Sequence, residues 1–196
     1  ISLGKNQLQV VEQKSKPNLE PILKKKNFYF EHIFDQNITT KEIFERLYKP
    51  VIFDSFINNR NSLLFNFGYT GSGKTYTMLD EEGIIINLYR YLTTKTNNIT
   101  LQCYEVYQNN IYDLLSKPNS KINENSHQQY RKNIQCLENN KQEFCLPGLQ
   151  LIKIESINLL KKIISNTISI RRCGISSRNS QSSRSHAAYQ FKTDNI

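Results

Sequence analysis

The stretch SLLFNFGYTGSGKTYTML, residues 62–79, decides the reading of the fold. Its first part, Ser62–Phe67, is a short apolar run suited to a buried strand. Its centre, Gly68–Thr75, matches the pattern G-x-x-x-x-G-K-[ST] in full, and Lys74–Leu79 should open a helix. Glycines let a backbone curl so that its N–H groups converge on phosphate oxygens, and the helix start adds its positive dipole end there. In such a loop Lys74 reaches the β- and γ-phosphates and the Thr75 hydroxyl ligates Mg²⁺. The expected nucleotide-binding set is Gly68, Tyr69, Thr70, Gly71, Ser72, Gly73, Lys74, Thr75 and Tyr76. The bland alternative, a chance match in a glycine-containing turn, lacks the strand before and the helix after.

Outward from this loop, helical and strand patterns alternate. Leu8 with Val10, and Phe28–Ile33, support short strands near the start. Thr39 and Glu42 have the spacing of a capping box, and Ile43, Phe44, Leu47, Tyr48, Val51 and Ile52 follow at helical spacing. Pro50 predicts a kink or break in that helix. A second helix is expected over Gly83–Thr94, a strand over Ile99–Tyr107 and a brief helical turn over Ile111–Leu115. Residues 116–133 are polar and read as a solvated insertion. Short strands are expected at Ile134–Leu137 and Leu149–Ile154. Ser156 should then cap a helix to about Arg172, with Ile157, Leu160, Ile163, Ile164 and Ile168 on its apolar face and Gly174 at its end. Ala188–Phe191 alternates like a strand. The class implied is α/β, without internal repeats.

The formal charge of +9 favours an acidic partner or a lysine-rich solvated surface, and clusters such as Lys24–Lys26 and Arg171-Arg172 are too short to decide. No apolar run spans a bilayer and no signal peptide is visible. Cys103, Cys136, Cys145 and Cys173 form no C-x-x-C pair and have no histidine at metal-ligand spacing, so a reducing compartment is expected. Cys103, inside a strand pattern, reads as a buried free thiol.

A second constellation is NSQSSRSH, residues 179–186. Alone it reads as a polar surface loop. Beside a phosphate loop it supplies hydroxyls to complete Mg²⁺ coordination, an amide to position water, and an arginine to stabilise charge. It resembles the switch I signature of kinesins, N-x-x-S-S-R-S-H, and Phe65–Met78 is similar to their phosphate loop. Further resemblances fall in the same order: Phe30–Asp35 to F-x-F-D-x-V-F, Gly83-Ile84-Ile85 to G-I-I, EVYQNNIYDLL (residues 105–115) to E-I-Y-N-E-x-I-Y-D-L-L, and Gly148-Leu149 to a G-L before the third main helix. Asn61–Phe65 resembles the wording of the kinesin-6 branch.

The resemblance covers Phe28 to Phe191 and implies an α/β P-loop NTPase, a motor core with a central mixed sheet flanked by helices and incomplete at both ends. Residues 1–27 are a lead-in, 28–193 a partial motor domain and 194–196 its truncated end. It implies that Ser183 helps hold Mg²⁺ through water, that Ser182 and Asn179 sense the γ-phosphate and the attacking water, and that Arg184 pairs with a switch II glutamate. The D-L-A-G-S-E wording of switch II does not occur, since only ten residues follow His186, and Lys14–Pro17 is a distant counterpart of the family's R-x-R-P. The resemblance further implies ATP and Mg²⁺ as ligands, microtubules as partner, no nucleic acid or membrane, a cytoplasmic place on the cytoskeleton, and room for a homodimer formed through regions outside this sequence. In the complete protein it implies a microtubule-stimulated ATPase, with this piece not competent for hydrolysis by itself. The alternatives are a degenerate, non-catalytic relative and an unrelated P-loop nucleotidase or kinase.

Overall fold

A computed structural model describes residues 2–3, 6–15, 21–116, 132–140, 142–173 and 185–194. The chain opens with a small antiparallel sheet of β1 (Ser2–Leu3), β2 (Gln7–Ser15) and β3 (Pro21–Tyr29), in which Gln7 faces Tyr29 and Ser15 faces Pro21. The second of these long strands therefore lies earlier than the expected 28–33. Proline at its first residue costs no ladder hydrogen bond, and Lys24–Lys26 fall within the strand.

Thr39 caps α1 (Thr40–Ile43) as its sequence predicts: its hydroxyl accepts from the Glu42 N–H at 3.2 Å, and its own N–H donates to the Glu42 carboxylate at 2.9 Å. The helix then widens into a π-helical turn, Phe44–Tyr48, before α2 (Lys49–Ile57). Pro50 sits in the first turn of α2, so the expected break takes the form of this wide turn. There the Lys49 N–H reaches back five residues to the Phe44 carbonyl, which shifts the register just ahead of a residue that has no N–H to give.

The main sheet is built on β4 (Ile99–Tyr107). Strand β10 (Ser185–Thr193) runs along one edge for its whole length, and the other edge is shared by β9 (Ile152–Lys153) and β5 (Asn110–Asp113). Outside β5 lies β6 (Lys132–Ile134), while β7 (Leu137–Glu138) and β8 (Phe144–Cys145) make a separate hairpin. All described ladders are antiparallel. Residues 117–131 of the expected insertion lie outside the described residues, and Lys132 and Asn133 belong to β6 rather than to a loop.

The helical turn expected at 111–115 is instead strand β5. Ile111, Leu114 and Leu115 have helical spacing, but the turn chemistry overrides it. Gln108 and Asn109 both have positive φ (47° and 61°) and join Tyr107 to Asn110 in a two-residue hairpin. Asparagine tolerates that backbone region better than most residues.

Helices α4 (Ile84–Leu92) and α5 (Ile157–Cys173) share one core with β4. Ile99, Leu101, Cys103 and Glu105 alternate inward along β4, and Ile84, Ile86 and Leu160 are fully buried with them. The Ser156 hydroxyl accepts from the Leu159 N–H at 3.2 Å and caps α5, and the buried face of that helix is the one expected. Gly174 lies outside the described residues.

Two expectations for measurement arise here. A Cβ at Gly83 would stand 2.7 Å from the Met78 carbonyl oxygen and 2.8 Å from the Asp80 nitrogen, both backbone atoms that cannot swing aside. Gly83→Ala should therefore cost about 1–3 kcal/mol, read as a lower denaturation midpoint with unchanged slope. Cys103 is fully buried and burial pushes its thiol well above the ordinary value, whereas Cys136 and Cys145 are exposed. A disulfide reagent should label Cys136 and Cys145 in the native protein and reach Cys103 only on unfolding.

Ser62–Phe67 departs from its expected burial. The segment is extended but pairs with no strand among the described residues, and Leu63, Phe65 and Phe67 are 89%, 69% and 86% exposed. Only the alternate side turns inward: Leu64 packs on the core and the Asn66 side-chain amide donates to the Lys74 carbonyl at 3.2 Å.

Candidate functional site: the phosphate-loop cavity

The loop between this extended segment and α3 (Lys74–Leu79) is shaped by its glycines. Gly71 and Gly73 have φ of +85° and +88°, where a side chain is strained, and a Cβ at Gly68 would lie 2.5 Å from the Ser72 hydroxyl. The Ser72 N–H turns back to the Tyr69 carbonyl at 3.2 Å, and the Gly73 carbonyl accepts the first helical bond from Thr77 at 2.9 Å. Lys74 is drawn over the loop, its ammonium donating to the carbonyls of Gly68 and Tyr69, each at 2.7 Å.

This loop opens on a cavity of about 520 Å³. Thr70, Gly71, Gly73, Lys74 and Thr75 line it from the loop side, together with the exposed Tyr76. The same cavity is lined by Ser185, His186 and Ala187 at the start of β10. Two sequence stretches more than a hundred residues apart thus meet at one place. The four residues expected to act on the terminal phosphate, Asn179, Ser182, Ser183 and Arg184, lie outside the described residues.

Beneath the β10 wall is an ion pair that sequence reading leaves unassigned. Arg171, in the last turns of α5, donates from Nε to the Glu105 carboxylate at 3.0 Å and from its terminal nitrogen to the Ser185 hydroxyl at 3.3 Å. The Glu105 side chain is only 4% exposed. A readable signal exists: Glu105 occupies an inward position of the alternation Ile99, Leu101, Cys103, and Arg171 continues the apolar stripe Leu160, Ile164, Thr167. Opposite charges on two faces that are otherwise apolar point to each other. Tyr189 also lines the cavity; burial, above all, raises its hydroxyl to about 12.

The donor set fits a magnesium nucleotide. Among the described residues no cluster of His, Cys, Asp and Glu forms a protein-only metal site. Mg²⁺ commonly takes its oxygens from phosphates and water with one or two protein ligands, and the Thr75 hydroxyl at the cavity suits that role. The glycine-shaped curl and the ammonium of Lys74 suit the phosphates. No described helix is long and apolar enough to cross a membrane.

Comparison with known proteins agrees with this geometry. The family model described as kinesin motor domain matches residues 3–195. Kinesin-like protein KIN-13B of Arabidopsis thaliana is 29% identical over 191 residues, which are 95% of this chain and 26% of that protein. Kinesin-like protein KIF24 of Homo sapiens is 29% identical over 199 residues, 96% of this chain and 14% of that protein. The chain thus spans about a quarter or less of the length of these relatives. The solved structure of a fast kinesin superimposes with a TM-score of 0.73 at 23% identity, covering 97% of this chain and 52% of that one, a likeness of fold. With its phosphate loop, the cavity it shares with β10 and a family match over nearly all its residues, the chain belongs to the kinesin motor domain family.

Proposed function

We propose that this chain is the nucleotide-binding portion of an ATP-driven microtubule motor. The observation that carries this reading is the single cavity in which Lys74 and Thr75 meet the start of β10. The loop from Gly68 to Tyr76 would cradle the phosphates through its backbone N–H groups, Lys74 would neutralise the β- and γ-phosphates, and Thr75, with Ser183 through bound water, would hold Mg²⁺. The metal, when bound, neutralises charge on the phosphate oxygens. Asn179 and Ser182 would sense the terminal phosphate and the attacking water, and Arg184 would pair with a glutamate outside these residues. Arg171, held by Glu105, steadies Ser185 at the base of that segment. ATP and water give ADP and inorganic phosphate. The partner is the acidic surface of the microtubule, in keeping with the chain's charge of +9, and the protein works in the cytoplasm on the cytoskeleton. Dimerisation, where it occurs, uses segments outside these residues.

Steady-state ATPase of the natural full-length product, with and without polymerised tubulin, tests this. Turnover stimulated by microtubules is expected. Tight ATP binding with no turnover under either condition would show a non-catalytic relative instead.

A further inference from the structure

A buried hydroxyl and a partly buried one meet at the wall of the cavity. Thr167 of α5 is wholly buried and its hydroxyl donates to the Ile164 carbonyl at 2.8 Å. A hydroxyl has one hydrogen, so in the 2.7 Å contact between Thr167 and Tyr189 the tyrosine is the donor. The chain of bonds therefore runs from Tyr189 through Thr167 to the helix backbone. Packing alone does not call for it: Tyr189 faces the core beside Phe191, opposite Cys103, where a phenylalanine ring fills the same space. Likewise valine has the shape of Thr167. Taking hydroxyls out of water, wholly at Thr167 and partly at Tyr189, is unfavourable unless they are hydrogen-bonded, so the pair fixes one relative placement of helix and strand. One helical turn further on, Arg171 reaches Ser185 on the same strand. Helix and strand are thus joined at two levels, and Tyr189, Ser185 and Arg171 all line the cavity.

We propose that Tyr189 is a positioning residue for the terminal phosphate: by donating its hydroxyl to Thr167 it fixes β10 on α5 and so sets where the Ser185–Ala187 wall stands relative to a phosphate held by Lys74. The proposal rests on the nucleotide-binding reading. It makes a distinction that general loosening of the fold does not. The loop alone cradles the inner phosphates, so a displaced β10 wall should penalise a triphosphate more than a diphosphate.

The test uses the natural full-length product and calorimetric Kd values for MgADP and for magnesium with a non-hydrolysable ATP analogue. Tyr189→Phe and Thr167→Val should each weaken analogue binding about fivefold more than ADP binding, the size expected of one lost buried hydrogen bond. The double variant should add nothing further, because both changes remove one interaction. Thr167→Ser, which keeps the hydroxyl, should restore the ratio. Equal weakening of both nucleotides, or no change in either, would overturn the proposal. Should Thr167→Val not fold, Tyr189→Phe, which keeps the ring, decides alone. A wild-type protein that binds neither nucleotide overturns the underlying reading, a result distinct from an unchanged ratio.

Discussion

Lys74→Ala is expected to weaken binding of MgATP by at least about a hundredfold, since an ammonium bonded to phosphate oxygens contributes about 1.5–3 kcal/mol per bond and Lys74 can make two. The ammonium is already placed for this. It lies over the loop, held by the Gly68 and Tyr69 carbonyls, within the cavity. No other lysine or arginine of the loop stands ready to replace it, and Arg171 is committed to Glu105 and Ser185. The fold should be nearly untouched, because the two bonds lost are to backbone carbonyls at a loop surface. Calorimetric titration paired with far-ultraviolet circular dichroism checks both halves. A variant that keeps its nucleotide affinity would mean that the phosphates sit elsewhere.

Arg171→Ala should be among the most destabilising substitutions away from the hydrophobic core. Removing the guanidinium takes a charged partner from a carboxylate that is 4% exposed, and breaking a buried pair from one side costs about 3–5 kcal/mol. Arg171 itself is 21% exposed, so water relieves part of this, and about 2–4 kcal/mol is expected. Denaturant unfolding of the motor domain gives the value. Combining Arg171→Met with Glu105→Gln should recover part of the loss, because the charge left without its guanidinium is then gone as well. An Arg171→Ala midpoint within experimental error of the wild type would show that the pair is idle.

Much of this was legible in the residues. The phosphate loop, the Thr39 capping box, the Ser156-capped helix and the alternation of β4 each rest on signals within a few residues, and each appears where its wording puts it. The departures share a different cause. Ser62–Phe67 has the composition of a buried strand, but burial depends on neighbours, and no described strand lies beside it. At Ile111–Leu115 a helical spacing of apolar residues competes with turn chemistry at Gln108-Asn109, and the hairpin register wins. Around Pro50 the expected interruption is absorbed by the backbone one turn earlier, as a π-helical segment. Of the cavity, the glycine-shaped turn and the helix start at Lys74 were legible in the wording of residues 68–75. The Glu105–Arg171 pair leaves only the trace of one charge on each of two apolar faces, and the Thr167–Tyr189 hydroxyls leave none, since the partners are 66 and 22 residues apart and the fold brings them together.

The exposed apolar stripe Leu63, Phe65, Phe67 leads directly into the glycine loop, so the loop's shape is coupled to the surroundings of that face. Nucleotide binding is therefore best measured on the natural full-length product. Its affinities for MgATP and for adenosine, compared by calorimetry, address the central claim directly. If the phosphates are held by Gly68–Thr75, ATP binds and adenosine, which offers the loop nothing, binds at least about a thousandfold more weakly, given several charge-assisted bonds to phosphate. Equal affinity for the two, or binding of neither, would contradict it.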